Sequence, residues 1–217
     1  MTIRAMPNQA MTGITAMRQL RMFKTPPVLL ALALTLTLPG CLSLGGKPPP
    51  TLLTLTAAAP VPAGTVTSGD PRTAIMVMEP ETDQRLAVVR VPVQIDDTNV
   101  AYVKNAAWVE RPARLFRALL AETLRGKTNA LVLEDTQAAA NVGVRVSGRL
   151  IDMGYDARTS SVVVRYEAIR GGPSGPVVTK RFESVIPGIE AKPEFIGPAL
   201  NRAANDVAGQ VAAWIVG

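Results

Sequence analysis

The sequence contains no histidine and one cysteine, Cys41, among its 217 residues. Histidine-dependent catalytic triads and dyads are therefore excluded, and so are histidine-rich zinc sites. A single thiol also rules out an internal disulfide and a multi-cysteine metal site. We therefore expect no histidine- or cysteine-dependent catalysis, no metal and no cofactor.

Aromatic residues are scarce, at 4% of the chain, while hydrophobic residues as a whole make up 47%. The core must therefore consist mainly of aliphatic side chains. With 18% charged residues the composition is that of a globular protein, and the length accommodates a leader segment and one folded domain.

Acidic residues are missing from the first 69 positions, where Asp70 is the first to occur. Four basic residues, Arg4, Arg18, Arg21 and Lys24, precede Cys41. Removing them leaves 19 basic against 17 acidic residues, a formal charge of +2 instead of +6. The basic character belongs partly to the leader, so it does not indicate nucleic-acid binding.

An apolar run, VLLALALTLTL, occupies residues 28–38 behind the basic residues. A helix of about 11 residues covers about 16 Å, roughly half of a bilayer core, so the run is typical of a signal peptide and too short for a permanent span. We predict a signal peptide over residues 1–40, with Met22 as an alternative start.

The signal ends in Leu38-Pro39-Gly40-Cys41, which resembles the lipobox of bacterial lipoproteins. The resemblance implies cleavage between Gly40 and Cys41, a diacylglycerol on the Cys41 sulfur and anchoring in a membrane by two or three acyl chains. Leu42 follows the lipidated position, which favours the outer membrane, facing the periplasm, over the inner membrane.

A tether is predicted over residues 41–50, which contain Gly45, Gly46 and the prolines 48–50. Residues 51–217 then form the domain, for which we expect an α+β fold. The expected fold is a mainly antiparallel sheet with two amphipathic helices packed on one face. Apolar residues at helical spacing predict helices over 110–125 and 193–216. Extended or alternating patterns predict strands over 51–56, 73–79, 86–95, 100–103, 130–134, 141–155, 160–170 and 177–186.

Two groups of charged residues are candidates for a site. Acidic residues beside turns could bind a cation or transfer protons, but each pair lacks a convergent third ligand, so solvated loop acids are the preferred interpretation. These acids are Glu79, Glu81, Asp96, Asp97, Glu134 and Asp135. Basic residues around the first helix are consistent with anionic lipid, an acidic partner or a solvated face. They are Lys104, Arg111, Arg114, Arg117, Arg125 and Lys127.

Several segments in a fixed order resemble one family. They are the lipobox 38–41, the early strand 52–55 and RVPVQ at 90–94, followed by NVAY at 99–102, AWVERP at 107–112, ALNRA at 199–203 and AWI at 213–215. The order is similar to that of the ABC-type transport auxiliary lipoproteins, which include the lipoprotein of the paraquat-inducible system.

This resemblance implies a non-enzymatic accessory of an MCE-type ABC transporter for lipids or other hydrophobic molecules. Its expected partners are the membrane, an MCE-domain bridging protein and the associated permease and ATPase; a homo-oligomer stays open. Tyr102, Trp108 and Pro112 are the candidate contacts, although core packing is the preferred interpretation for each of the two aromatic residues. A second hypothesis is that the lipoprotein itself binds a small apolar ligand between sheet and helices.

Overall fold

The computed structural model describes residues 51–134, 142–173 and 175–217. The predicted signal peptide, the predicted lipidation site Cys41 with Gly40, and the whole predicted tether lie outside this range, as does Asp135. Within these residues, seven strands and two α-helices follow one another. They are β1 (Ile75–Val77), β2 (Arg90–Gln94), β3 (Val100–Ala107), α1 (Pro112–Lys127), β4 (Val132–Glu134), β5 (Val144–Asp156), β6 (Ser161–Gly171), β7 (Val178–Ile186) and α2 (Pro193–Val216).

All seven strands belong to one sheet, in which β5 is the central and longest strand. On one side β5 pairs antiparallel with β6, which pairs antiparallel with β7. On the other side β5 pairs in parallel with β1 near its start and with β2 at its end. The sheet continues through a parallel β1–β4 pair and an antiparallel β2–β3 pair.

The predicted α+β class is confirmed, but the sheet is mixed and not mainly antiparallel. The parallel pairs arise because the chain passes through α1 between β3 and β4 and then enters β5 in the same direction as β1. Alternation of apolar residues does not report strand direction, which explains why the sequence pattern missed these pairs.

Both helices pack on the same face of the sheet and against each other. Their apolar stripes, including Leu120 in α1 and Leu200 in α2, join Ile75 and Val77 in one large core. Met76, between those two residues in β1, instead joins a small cluster on the opposite sheet face. Strand alternation therefore separates a helix-covered face from an outer face.

The second helix has the predicted bounds, and the first is displaced by two residues, beginning at Pro112. Proline suits the first helical position because its missing N–H would have no helical partner there. The expected strand over 51–56 is reduced to one parallel bridge between Leu53 and Trp108. In the part of the chain that the structure describes, no helix is long and apolar enough to span a membrane.

Candidate functional site

The first described residues form an extended segment, 51–61, which we call the strap. Asn205 holds the strap at two positions: its side-chain oxygen accepts the Ala58 N–H at 2.7 Å, and its amide nitrogen donates to the Thr56 carbonyl at 2.9 Å. The Thr56 N–H donates to Asn201, one turn earlier on α2, at 2.9 Å. These contacts fix the strap along α2 through its backbone.

The strap is also held at both ends. Glu122 of α1 accepts the Val61 N–H at 2.7 Å. At the other end, Leu53 packs closely over α2: a Cβ atom on Gly197 would lie only 2.7 Å from the Cδ2 atom of Leu53. Sequence reasoning did not identify Asn201 and Asn205 as the residues that hold the strap. The sequence feature that could have indicated it is their spacing of four residues, which places both on one face of α2.

Three chain segments meet around Trp108. The Leu53 N–H donates to the Ala107 carbonyl, and the Val109 N–H donates to the Leu53 carbonyl, both at 2.8 Å. The Trp108 N–H donates to the Val89 carbonyl, also at 2.8 Å. The Trp108 side chain points into the core and is 2% exposed, while Pro112 is also buried. The structure therefore places these two candidate contacts beneath the surface.

Exposed apolar side chains surround this buried tryptophan. Leu52 is 54% and Val109 is 56% exposed, and Val88 and Val89 are exposed as well. The three backbone hydrogen bonds at Trp108 bring their segments together. We call these four residues the junction patch. Contiguous exposed apolar groups are typical of surfaces that contact a partner or a membrane.

Tyr102, the third candidate contact, lies on β3 and is half-buried. Its ring stacks beneath the Arg90 guanidinium, whose central carbon lies 4.2 Å from the ring centroid. Farther along the same hairpin, Ile95 and Val100 are exposed. We call Ile95, Val100 and Tyr102 the hairpin surface.

The hairpin surface has an open backbone edge within the described sheet, because β3 pairs there only with β2. Ile95 donates its N–H to the Asn99 carbonyl, and bonded pairs alternate along an antiparallel ladder. The Tyr102 position opposite Pro92 is therefore a non-bonded pair, consistent with the missing N–H of proline. The N–H and C=O groups of Tyr102 consequently point toward the open edge.

The candidate acids take structural roles. Asp96 accepts hydrogen bonds from the side chain of Asn99 and the backbone of Thr98, and these bonds lower the pKa of Asp96 to about 2. Asp97 pairs with Arg158 at 2.5 Å. Among the described residues no three carboxylates converge as a metal site. These contacts stabilise the turn between β2 and β3.

The basic residues around α1 are largely neutralised by neighbouring acids. Arg114 pairs with Glu110 at 2.6 Å, and Arg125 pairs with Glu134 at 2.8 Å. Arg117 pairs with Glu134 at 3.5 Å, so these three arginines do not form a free cationic surface. Lys104, Arg111 and Lys127 make no ion pair with the described residues.

The outer sheet face carries a continuous ion-pair network. Asp152 of β5 bonds both Arg85, at 2.6 Å, and Arg165 of β6, which in turn pairs with Glu183 of β7. Arg85, Asp152 and Arg165 line an open cleft of about 280 Å³. Since each guanidinium in the network already faces a carboxylate, the cleft is a charge-balanced surface and not a free anion site.

Large aromatic and aliphatic side chains of the described residues pack between the sheet and the helices. Phe116 and Tyr166 pack with their ring centroids 5.0 Å apart, and Leu150, Met153 and Leu200 around them are fully buried. The Tyr166 hydroxyl donates to the Ser147 carbonyl at 2.8 Å. This packing favours a surface role over binding of a small apolar ligand inside the domain.

The family model for the ABC-type transport auxiliary lipoprotein component matches residues 53–212, which include most of the strap, all of α1 and most of α2. The chain belongs to this family, whose members serve as auxiliary lipoproteins of ABC transport in the bacterial cell envelope. The family is a transport component and not a known class of enzyme. No curated protein sequence matches this chain significantly.

Solved structures of low sequence identity share the fold. One, a Xanthomonas campestris protein described as DUF330, is 13% identical, with a TM-score of 0.60; the match covers 76% of this chain and 94% of that chain. Another, described as an uncharacterized protein, is 14% identical, with a TM-score of 0.58, and covers 66% of this chain and 92% of that chain.

Proposed function

We propose that this protein is a lipid-anchored auxiliary subunit of an MCE-type ABC transport system for lipids or other hydrophobic molecules. In this role the acylated Cys41 holds the domain at the periplasmic side of the outer membrane. The domain docks on an MCE-domain protein that works with the permease and the ATPase. The family membership carries the proposal, and the lipobox at residues 38–41 supports the lipid anchor.

Docking is assigned to the hairpin surface because it combines exposed apolar side chains with an open strand edge. An extended segment of the partner can add to β3 through the outward N–H and C=O groups of Tyr102, while Val100 provides apolar contact on one face of the hairpin and Ile95 on the other. Tethering raises the effective concentration of this edge near its partner without any catalytic group. Trp108 and Pro112 act indirectly, by supporting β3 and the start of α1 from below.

A capture experiment with the full chain tests this proposal. Tagged lipoprotein is purified in mild detergent from cell envelopes of its own host, and the proteins that co-purify with it are identified. We expect an MCE-domain protein with the permease and ATPase. Recovery of the lipoprotein without them would contradict the transporter assignment.

The docking edge is tested by Val100→Glu, which places a charge on an exposed position of β3 and should reduce capture while leaving the melting temperature nearly unchanged. The matched control is Val177→Glu, an exposed valine before β7, which should capture normally. Equal capture by both variants would remove the hairpin surface from the interface.

A further inference from the structure

The strap determines where the chain leaves the domain on its way to Cys41. The backbone amides of Thr56, Ala58 and Val61 each donate to a helix side chain, and Leu53 makes two backbone hydrogen bonds at Trp108. Within the described residues, Leu53 is the first position held by such bonds. The tether therefore starts from a fixed point beside the junction patch.

The length of the tether limits which face of the domain can approach the bilayer. Twelve peptide units separate Cys41 from Leu53, the first held residue, and they extend over at most about 43 Å. A domain of this size has a radius of gyration of about 15 Å and is about 40 Å across. Turning the surface opposite Leu53 toward the bilayer would therefore require an almost fully extended tether, whereas the surface around Leu53 can lie near the bilayer with a relaxed tether.

The chemistry of the junction patch fits a phospholipid surface. Its four apolar side chains are exposed, and the exposed Arg111 lies two residues after Val109. Arg111 forms no ion pair with a residue that the structure describes. Apolar groups beside an unpaired cation favour contact with the interface of an anionic bilayer.

We infer that the junction patch is the membrane-contacting surface of the domain and that the strap orients it toward an anionic phospholipid bilayer. The inference rests on the proposed lipid anchor, but it is separate from the choice of transport partner. The hairpin surface, whose turn lies about 17 Å along β2 from the patch, then points away from the lipid and toward the partner.

Site-specific fluorescence on the full lipidated chain tests the orientation. Acylation blocks the Cys41 thiol, so Val109→Cys supplies a single reactive thiol for a polarity-sensitive label. Val177→Cys is the matched control, because Val177 is 72% exposed and lies level with the start of β5, about 20 Å along the strand direction from the level of position 109. Each labelled protein is reconstituted into phosphatidylethanolamine–phosphatidylglycerol vesicles with or without a lipid-borne quencher.

We expect quenching and a blue-shifted emission for the label at position 109, and neither effect at position 177. Asn205→Ala, which removes the contacts to Thr56 and Ala58, should reduce the contrast between the two labels. Equal quenching at both positions in protein that floats with the vesicles would overturn the orientation while leaving the anchor intact. Failure to float would refute the anchor itself, and the inference with it.

Discussion

Replacing Trp108 with alanine should destabilise the domain by about 3–5 kcal/mol, the usual cost of truncating a large buried aromatic side chain. The side chain is 2% exposed and supports the meeting point of the strap, β2 and β3. For a domain of this size each 1 kcal/mol shifts the melting temperature by about 2–4 °C, so the expected decrease is about 6–20 °C.

Two further variants sharpen this prediction. The buried Trp108 Nε1 atom has no hydrogen-bond partner among the described residues, so Trp108→Phe removes an unsatisfied N–H while keeping most of the aromatic packing. We expect it to cost well under half as much as alanine. Trp214, the other tryptophan, is only half-buried and packs at a tilt against Phe182 and beneath the Arg170 guanidinium at the edge of the core, so Trp214→Ala should cost less than Trp108→Ala.

Thermal unfolding of the three variants, followed by circular dichroism, provides the assay. A loss of less than about 1 kcal/mol for Trp108→Ala would refute the placement of this side chain in the core, because such small effects are typical of surface positions. Reduced partner capture by a variant that melts normally would return Trp108 to the interface.

Two other predictions concern the core. Gly148 has a φ of 146°, and a Cβ there would lie 2.0 Å from the Glu167 carbonyl oxygen, so Gly148→Ala should cost about 2–5 kcal/mol in thermal unfolding. Its control, Gly209→Ala in α2, meets no neighbouring atom and should stabilise by about 0.5–1 kcal/mol. Burial raises the pKa of Tyr166 above its ordinary value of 10.0, so its contribution to stability is complete below pH 10 and declines as the pH rises further. Tyr166→Phe should flatten this alkaline decline in melting temperature, and an unchanged slope would contradict the assignment.

The helices were predictable because apolar residues recur along them at helical spacing. Leu115, Leu119 and Phe116 fall on the buried side of α1, as the spacing indicates. The strand positions followed from alternation, although β3 extends to Ala107, four residues beyond the expected end. That extension passes through Asn105 at a positive φ, a local conformation that no periodic pattern reports.

The candidate surfaces were less predictable, because they depend on contacts distant in sequence. Sequence position alone left both a surface role and a core role open for Trp108. The backbone of Trp108 pairs with Leu53, and its side chain is 2% exposed, so the side chain belongs to the core. The role of Asn205 depends on residues nearly 150 positions earlier in the chain. Long-range backbone contacts of this kind have no local sequence signature, whereas the lipobox is read directly from four adjacent residues.

Intact-mass analysis of the protein purified from envelopes tests the central claim, a lipid-anchored transport subunit, most directly. The account predicts a chain that begins at Cys41 and carries the mass of a diacylglycerol, usually with a third acyl chain. Metabolic labelling with a fatty-acid probe should mark this protein but not Cys41→Ser. A mature chain that retains residues before Cys41, or equal labelling of Cys41→Ser, would contradict the account.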